Sequence, residues 1–198
     1  SQKVVVRSDV TYMITGGLGG LGLLIAHWLV EQGAHHLVLM GRSQPKPGIQ
    51  QQLQALAALG ATVTVAQGDV SDRTQVANVL AQIDQKYPLA GIIHAAGVLD
   101  DGILVQQSWA RFRKVLAPKL GGAWHLHKLT EGMQLDFFVC FSSTVGILGN
   151  EGQANYAAAN AFLDAFTHHR QAQGLPALSV NWDAWAEVGM AAEMVRQA

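Results

Sequence analysis

Short apolar runs alternate with longer amphipathic stretches along most of the chain. Strand-like runs, rich in β-branched and aromatic residues, lie at residues 11–15, 36–40, 62–66, 91–94, 137–141 and 178–181. Helix-like stretches lie at residues 20–31, 50–59, 73–85, 108–130 and 154–173. This alternation predicts right-handed crossovers and a parallel sheet with helices on both faces. The unbroken apolar run at 137–141 is typical of a strand buried on both faces.

The predicted fold class is therefore α/β, a Rossmann-like doubly wound sheet with strand order 3-2-1-4-5-6. In such a sheet, ligands bind beyond the carboxyl ends of the strands, near the switch between the first and fourth strands. Residues 43–48 contain two prolines and predict a surface loop. The chain shows no internal repeat, low-complexity tract or domain boundary, so we expect one domain over residues 1–198.

Composition excludes several classes of protein. Apolar residues make up 49% of the chain and charged residues 14%, with a net charge of −1, which argues against disorder and against nucleic-acid binding. No apolar stretch approaches the ~20 residues of a membrane span, and no export signal opens the chain. The single cysteine, Cys140, lies in an apolar run, where a buried inert thiol is expected rather than a reactive one. These features predict a cytoplasmic protein.

The histidines do not suggest a metal site. His125 and His127 are two residues apart on a predicted helix, so their side chains do not face each other. The adjacent pairs at 35–36 and 168–169 have the same limitation, and no cysteine or carboxylate cluster joins them. We therefore expect no metal.

A glycine-rich turn follows the first predicted strand and opens the first predicted helix. Such a turn lets backbone approach a diphosphate and places the diphosphate at the positive end of a helix. The alternative is a glycine-rich turn without a ligand. The spacing of glycines in this turn, Thr-Gly-x-x-x-Gly-x-Gly, is typical of short-chain dehydrogenase/reductases. The candidate residues are Thr15, Gly16, Gly17, Leu18, Gly19, Gly20, Leu21 and Gly22.

The residues after the second strand distinguish NADPH from NADH. An acidic residue there would bind the adenosine ribose hydroxyls, but this chain has Gly41-Arg42-Ser43. Arg42 is suited to a paired, charge-assisted contact with a 2′-phosphate, and Ser43 adds a donor. The sequence thus predicts NADPH/NADP+, with Arg42 as a plain surface cation the alternative.

Two further strand ends add candidate cofactor contacts. Asp69 and Val70 follow the third strand, where the carboxylate would accept from the adenine amino group and Val70 would cover the ring. Asp69 could instead cap the next helix, although Ser71 and Asp72 are better placed. After the fourth strand come residues small enough for backbone to pass beneath the nicotinamide ribose, namely His94, Ala95, Ala96 and Gly97. We expect His94 to be a core histidine rather than a proton-transfer group.

Candidate catalytic residues follow the fifth strand. A tyrosine hydroxyl supplies a proton for carbonyl reduction if a nearby ammonium lowers its pKa from about 10, and a serine hydroxyl holds the ketone oxygen. Tyr156 is the candidate tyrosine, and Ser142 and Ser143 are the candidate serines. Short-chain dehydrogenases usually carry a lysine four residues after the tyrosine, but this chain has Asn160.

This exchange resembles the ketoreductase domains of modular polyketide synthases, in which the lysine lies upstream and an asparagine follows the tyrosine. The upstream residue here is Lys119, in Ala-Pro-Lys-Leu-Gly-Gly. The resemblance runs from Tyr12 to Gly189 and includes the closing residues 181–185, Asn-Trp-Asp-Ala-Trp. It places Trp182 and Trp185 near the floor of the active site.

The resemblance implies a role for each catalytic residue. Tyr156 would be the proton donor, and Ser143, thirteen residues before it, would orient the β-keto oxygen. Lys119 would lower the pKa of Tyr156 and hold ribose hydroxyls, and Asn160 would support a water relay. The substrate would be a β-ketoacyl chain tethered through phosphopantetheine to an acyl carrier protein, and the other domains of the same synthase would be partners.

Residues near the catalytic group resemble those of B-type ketoreductases, which give a D-configured hydroxyl. The triplet Leu99-Asp100-Asp101 carries the resemblance, although an exposed turn is the alternative. The A-type tryptophan is absent, because Leu148 occupies the position eight residues before Tyr156. Ala158 occupies the position of the proline found in the epimerising subtype, so B1-like stereochemistry is predicted. Gln153 completes the candidate stereocontrol residues.

Two alternative functions stay open on the sequence: a stand-alone oxidoreductase for a small ketone or alcohol, and a cofactor-binding scaffold without turnover. Relatives carry an N-terminal structural half before this segment and a lid helix and last strand after it. We therefore expect residues 1–198 alone to have an incomplete substrate groove and weak activity.

Overall fold

The computed structural model describes residues 5–183. Its strands are β1 Thr11–Thr15, β2 His36–Gly41, β3 Thr62–Gln67, β4 Leu89–His94, β5 Phe137–Ser143 and β6 Leu178–Trp182. Its α-helices are α1 Gly20–Glu31, α2 Pro47–Ala58, α3 Arg73–Ala81, α4 Trp109–Leu116, α5 Gly122–Leu129, α6 Val145–Leu148 and α7 Ala154–Ala172. All strand pairs are parallel, in the order β3-β2-β1-β4-β5-β6. The predicted fold class and strand order are confirmed.

The sheet separates two apolar layers. One layer packs α1 and α2 against the sheet and includes Tyr12, Leu29, Leu39 and Leu56. The other packs α3, α5 and α7 against the opposite face and is represented by Met13, Val76, Leu126, Phe138 and Leu163. Successive residues of β1 therefore point into different layers, as the two-residue period of a strand requires. The helices cover both faces of the sheet, and a ligand site is therefore expected at the carboxyl ends of the strands.

The long helix predicted over 108–130 is the largest departure from the sequence prediction. It is divided into α4 and α5 by a π-helical turn, Ala117–Gly121. Pro118 has no backbone N–H and cannot continue the ordinary hydrogen-bond ladder. The N–H of Gly122 instead donates to the carbonyl of Ala117, five residues earlier. This turn carries Lys119.

Other boundaries differ less. Helix α2 begins at Pro47, within the predicted surface loop, because proline is well suited to a first helical turn. Helix α3 ends at Ala81, four residues before its predicted end. Strand β5 extends to Ser143, two residues beyond the apolar run. Helix α6 and a 3₁₀ turn at Leu104–Gln106 were not predicted. Helix α6 follows Ser143 directly and packs against Asn160 through Gly146.

Candidate active site

The glycine-rich turn between β1 and α1 is closely packed. Gly16 has φ +69°, and a Cβ added there would lie 2.9 Å from the backbone of Ala95 and Ala96. A Cβ on Gly22 would overlap the carbonyl oxygen of Gly16 and lie 2.8 Å from the Cα of Gly17. These glycines let the turn fold tightly against the end of β4, as the sequence pattern predicts.

The amino terminus of α1 is open to an anion. Gly19 is its N-cap and supplies no side-chain hydrogen bond, so no side chain caps the first-turn N–H groups. Gly19 is exposed, and Leu18 contacts the end of β2, with its Cδ1 3.2 Å from the position that a Gly41 Cβ would take. An uncapped helix terminus beside β2 fits the diphosphate of a dinucleotide.

Arg42 and Ser43 follow β2 and are both exposed. The backbone carbonyl of Arg42 accepts from Gln67 Nε2 at 3.1 Å, which connects this loop to β3. Its guanidinium makes no hydrogen bond or ion pair with another residue in the 5–183 range that the structure describes. Arg42 is therefore available for an anionic ligand close to the glycine turn.

Asp69 and Val70 lie beyond β3. Asp69 Oδ1 accepts from the backbone N–H of Ser71 at 2.9 Å and from its hydroxyl at 2.6 Å. The cap of α3 is Asp72, which accepts from Thr74 and Gln75. Asp69 is thus not the helix cap, and the adenine role predicted for it remains a prediction. Val70 is buried against Gly122, where an added Cβ would lie 2.9 Å from its methyl group.

His94 is a hydrogen-bonded core residue, as expected. Its Nε2 lies 3.3 Å from the carbonyl oxygen of Lys119, which only accepts, so Nε2 donates and Nδ1 accepts from the Thr15 hydroxyl at 2.7 Å. Complete burial lowers the pKa of His94 to about 4, so the ring is neutral near pH 7. The backbone N–H of Ala95 donates to Thr15, which holds residues 95–97 beside the glycine turn.

The structure brings the four candidate catalytic residues together. Tyr156 and Asn160 are one turn apart on α7, Ser143 ends β5, and Lys119 lies on the π turn. The Lys119 ammonium is 5.3 Å from the centroid of the Tyr156 ring. Burial raises the pKa of Tyr156, while hydrogen bonds with the side chains of Asn160 and Ser143 act in the opposite direction.

Lys119 is 3% exposed, which is unusual for a lysine. Its ammonium donates to the carbonyl oxygen of Phe141 at 2.8 Å. Burial lowers the pKa of Lys119 to about 8, even though the negative charge of Asp164 acts in the opposite direction. A buried ammonium with this single hydrogen bond in the described region is available to ligand oxygens and to a tyrosinate.

Asn160 has one buried polar atom without a partner. Its Nδ2 donates to the backbone carbonyl of Tyr156 at 2.8 Å, but its Oδ1 is inaccessible to solvent and accepts no hydrogen bond from any residue in the described range. Such an orphaned acceptor is costly unless a water or ligand binds it. This feature fits the water relay that the sequence predicts for Asn160.

The Leu99-Asp100-Asp101 loop is attached to the elements around it. Asp100 accepts from the Lys114 ammonium at 2.9 Å and lies 3.4 Å from Arg111 Nε. Asp101 Oδ2 accepts from Gln153 Nε2 at 2.8 Å. All three loop residues are half-buried, so the loop is not a free exposed turn. Leu148 lies on α6 and is 83% exposed.

Asn155 is a site residue that the sequence prediction missed. Its side chain is fully buried, donates to the carbonyl oxygen of Asp100 at 2.8 Å and accepts from the backbone N–H of Tyr156 at 2.8 Å. It therefore connects the Asp100 loop directly to the candidate proton donor. Its position immediately before Tyr156 was the available signal, but the contact joins residues 55 positions apart.

Two further residues considered in the sequence, Trp182 and Cys140, pack within the core. Trp182 packs edge-on against Phe141, with ring centroids 5.4 Å apart, and belongs to the core layer of α1 and α2. Trp185, predicted to lie near the site, is outside the described residues. Cys140 is buried, and burial raises its thiol pKa to about 12, as expected of an inert cysteine.

Neither a metal centre nor a membrane span is found in the part of the chain that the structure describes. No group of three or more His, Cys, Asp or Glu side chains there could hold a metal ion. His127 Nδ1 instead lies 2.7 Å from Arg170 Nη1, and His125 Nε2 lies 3.2 Å from the carbonyl oxygen of Ser71. Within the same residues, no helix has the length and apolar character needed to cross a bilayer.

A dinucleotide-type turn and a Ser-Tyr-Lys-Asn group on a doubly wound sheet define the class of Rossmann-like oxidoreductases. Comparison with known proteins identifies the family: residues 10–187 match the model of the KR domain. The chain belongs to this ketoreductase family, whose members use NAD(P)H.

The curated relatives include polyketide synthases. The chain is 49% identical over 183 residues to polyketide synthase GfsB of Streptomyces halstedii, covering 91% of this chain and 3% of that protein. It is 46% identical over 177 residues to the mycoketide-CoA synthase of Mycobacterium tuberculosis, covering 88% of this chain and 4% of that protein. The chain thus spans a small fraction of the relatives that it matches.

Solved ketoreductase structures share the fold. A structure described as an A1-type ketoreductase has a TM-score of 0.92 and 41% identity, covering 99% of this chain and 42% of that one. A ketoreductase domain from the bacillaene assembly line has a TM-score of 0.90 and 38% identity, covering 100% of this chain and 50% of that one. A C2-type ketoreductase from a modular polyketide synthase has a TM-score of 0.85 and 31% identity, covering 99% of this chain and 43% of that one. Several stereochemical types therefore share this fold, and the B-type assignment depends on individual residues.

Proposed function

We propose that this chain reduces the keto group of a β-ketoacyl thioester to a D-β-hydroxyacyl thioester, with NADPH as the reductant. The observation that carries the proposal is the convergence of Tyr156, Ser143, Lys119 and Asn160 at the carboxyl edge of the sheet. Membership in the ketoreductase family supports the reaction class. The reaction would take place in the cytoplasm as one step of polyketide assembly.

The cofactor would lie along the carboxyl edge from the glycine turn to α7. The uncapped terminus of α1 and the close-packed glycines would hold its diphosphate, and Arg42 with Ser43 would bind the 2′-phosphate. Asp69 and Val70 would contact the adenine, and residues 94–97 would lie beneath the nicotinamide ribose. When bound, NADPH supplies the hydride that is added to the carbonyl carbon.

The protein residues would supply the proton and stabilise the developing charge. The Ser143 hydroxyl donates to the carbonyl oxygen, and the Tyr156 hydroxyl transfers its proton to that oxygen as the C–O double bond becomes a single bond. The resulting tyrosinate is stabilised by the Lys119 ammonium. Asn160 Oδ1, which lacks a partner among the described residues, accepts from a water that returns a proton to the site.

The B-type stereochemistry is supported by the Asp100 loop rather than by the overall fold. Gln153 and Asn155, at the start of the Tyr156 helix, donate to Asp101 and Asp100. The loop is therefore fixed at the edge of the site, where it would direct the phosphopantetheine-tethered chain to one side. Leu148 is 83% exposed and, in place of the A-type tryptophan, would leave this side open to the chain.

The proposed partners are an acyl carrier protein, which would deliver the tethered chain, and the other domains of the same synthase. The small share of each relative that this chain spans supports a multidomain context. We propose that flanking regions of the synthase complete the substrate groove. Comparable turnover by residues 1–198 alone and by a longer synthase segment would contradict this part of the proposal.

A thioester assay tests the proposed activity. A longer synthase segment that contains residues 1–198 is given a β-ketoacyl thioester, and NADPH oxidation is followed with NADH as a control. NADPH-dependent formation of a D-β-hydroxyacyl product is expected. Absence of NADPH oxidation would contradict the reductase proposal, whereas an L-configured product would contradict only the B-type assignment.

Tyr156→Phe provides the site-specific arm of the test. The variant keeps the aromatic ring but lacks the hydroxyl group that would donate the proton. Turnover should therefore fall by at least about 100-fold, as expected for loss of a general acid. NADP+ binding should be unchanged. Tyr87→Phe is the matched control, because Tyr87 stacks on His36 near the opposite end of the sheet. Retained turnover in Tyr156→Phe would contradict the proton-donor role.

A further inference from the structure

A polar network lies directly behind the candidate catalytic residues, between α7 and the last two strands. Its members are Ser142, Asp164, Ser179 and Asn181, none of which has a role in the proposed reaction. Ser142 is 3% exposed and adjacent to Ser143. Its hydroxyl donates to the backbone carbonyl of Asn160 at 3.2 Å and accepts from Asn181 Nδ2 at 3.3 Å. The Ser142 hydroxyl is thus engaged on both sides and is not free to hold a substrate oxygen.

Asp164 completes the connection on the helix side. It lies eight residues after Tyr156, so it is two turns along the same face of α7. Its Oδ2 accepts from Asn181 Nδ2 at 2.9 Å, and its Oδ1 accepts from the Ser179 hydroxyl. Two donors on β6 therefore bind one carboxylate on the helix that carries Tyr156 and Asn160.

The network adds something that the backbone does not provide. Strands β5 and β6 are already paired, with Ser142 opposite Asn181, so their register does not need these side chains. Backbone hydrogen bonds in α7 are internal to the helix, and its packing through Leu163 and Phe166 is apolar and not directional. The hydrogen bonds from Ser142 and to Asp164 are directional contacts that set where α7 lies along the strands.

The position of α7 determines the geometry of the reacting groups. Ser143 is fixed to β5, and Asn181 Nδ2 lies 3.4 Å from the Ser143 carbonyl. Tyr156 is fixed to α7, so a shift of α7 along β5 would change the distance between the two hydroxyls. Asp164 also acts on Lys119, the candidate catalytic cation. Its negative charge raises the pKa of Lys119, against the larger lowering effect of burial.

We propose that Ser142, Asn181 and Asp164 are positioning residues that hold α7 against β5 and β6, so that the Ser143 and Tyr156 hydroxyls meet the same carbonyl oxygen. This inference rests on the proposed function and extends it to residues that contact neither substrate nor cofactor. A displacement of about 1 Å in such a group costs on the order of 100-fold in rate.

The first test is Asp164→Asn in the longer synthase segment. The substitution keeps the side-chain shape but places an amide in contact with two donors. We expect kcat to fall about 10- to 100-fold, with KM for NADPH and NADP+ affinity unchanged. Asp84→Asn is the matched control, because Asp84 is exposed in a turn before β4. An unchanged kcat in Asp164→Asn would overturn the proposal.

A second measurement separates positioning from a merely structural role. If Asp164 acts through the alignment of Tyr156, the double variant Asp164→Asn/Tyr156→Phe should be no slower than Tyr156→Phe alone. A multiplicative loss in the double variant would overturn the positioning role. Ser142→Ala, which removes one hydroxyl, provides the same comparison if Asp164→Asn does not fold.

A third measurement does not depend on turnover. The contact with the Ser143 side chain, on β5, acts to lower the pKa of Tyr156, so a shift of α7 away from β5 should raise that pKa further. Tyrosine ring carbons, labelled with ¹³C, report the titration of Tyr156 by NMR, and the Tyr156 signal is identified by its loss in Tyr156→Phe. An unshifted Tyr156 titration in Ser142→Ala and Asp164→Asn would overturn the inference, whereas a wild-type protein without thioester turnover would overturn the proposed function.

Discussion

Arg42 is the residue proposed to distinguish NADPH, through its 2′-phosphate, from NADH. The residue is exposed at the carboxyl end of β2, beside the glycine turn, and its guanidinium has no partner within residues 5–183. An arginine in this position pairs with a 2′-phosphate through two charge-assisted hydrogen bonds. The chain has no acid there to bind the ribose hydroxyls of NADH.

The substitution Arg42→Ala should weaken NADPH binding by about 10- to 100-fold, because a charge-assisted contact contributes about 1.5–3 kcal/mol. Affinity for NADH, which lacks the phosphate, should change much less. Fluorescence titration of both cofactors gives the two dissociation constants. Arg113→Ala is the control, since Arg113 is also an exposed arginine but lies on α4. Equal weakening of NADPH and NADH would contradict the assignment.

Lys119 is proposed to determine a second property, the pH dependence of thioester reduction. Its pKa of about 8 separates it from His94, at about 4, and from Cys140, at about 12. The pKa of Tyr156 is raised above its usual value of 10, so this tyrosine stays protonated in the same range. Lys119 is therefore the catalytic group expected to lose its charge near pH 8.

We predict that kcat/KM for thioester reduction falls as pH rises through about 8, because the ammonium that stabilises the tyrosinate is lost. The profile of kcat/KM reports groups of the free enzyme and is the measurement to make. In Lys119→Arg the guanidinium stays charged, so the remaining activity should not decline there. A wild-type profile that is flat to pH 9 would contradict the prediction.

At the scale of elements, the strands were predictable and the π turn was not. The apolar runs of inner strands such as β1 and β4 predict the sheet directly, because a parallel strand buried on both faces is composed largely of apolar residues. The edge strands β3 and β6 are partly exposed, and their short β-rich runs still identify them. The residues of 108–130 follow a helical period on both sides of Pro118, so they predict one helix. The i→i−5 hydrogen bond from Gly122 leaves no periodic mark, although it sets the position of Lys119.

The hydrogen bonds of the candidate site were likewise not predictable from the sequence pattern. Tyr156, Ser143, Lys119 and Asn160 were identified from a motif, and the fold brings them together. The bonds from Gln153 to Asp101 and from Asn181 to Asp164 join residues that are 52 and 17 positions apart. Such pairs depend on how loops and helices meet in space, and no periodicity of the chain encodes them.

The π turn buries the Lys119 ammonium away from water, which is unfavourable for folding. We predict that Lys119→Met abolishes turnover but raises the free energy of unfolding at pH 7 by about 1–3 kcal/mol, as apolar replacement of buried charge does elsewhere. Urea denaturation of both proteins, followed by the loss of their secondary structure, measures the difference in the free energy of unfolding.

The pH dependence of this difference follows from the lowered pKa of Lys119. Below pH 8 the folded protein contains the buried ammonium and bears its full cost. Between about 8 and the unfolded value of 10.5, the unfolded chain binds more protons, so wild-type stability rises with pH relative to Lys119→Met. A stability difference that does not narrow between pH 7 and 10 would contradict the burial of a charged lysine.

At the scale of the whole molecule, the candidate cofactor residues extend along the carboxyl edge of the sheet. The glycine turn follows β1, Arg42 follows β2, Asp69 follows β3 and residues 95–97 follow β4. A ligand bound across these segments would connect both core layers, because Leu18 of the glycine turn packs on one layer and Val70 and Ala96 belong with the other. Binding should therefore stabilise the fold as a unit.

Thermal unfolding tests this coupling without any substrate. A ligand that binds only the folded state at 100 times its dissociation constant adds about 2.7 kcal/mol, which raises Tm by roughly 5–10 °C in a domain of this size. NADP+ should produce this shift, and NAD+ at the same concentration a smaller one. In Arg42→Ala the two cofactors should become equivalent, whereas Arg113→Ala should behave like the wild type. Equal shifts by NAD+ and NADP+ in the wild type would show that the phosphate is not recognised, and no shift with either would show that the carboxyl edge of the sheet is not a dinucleotide site.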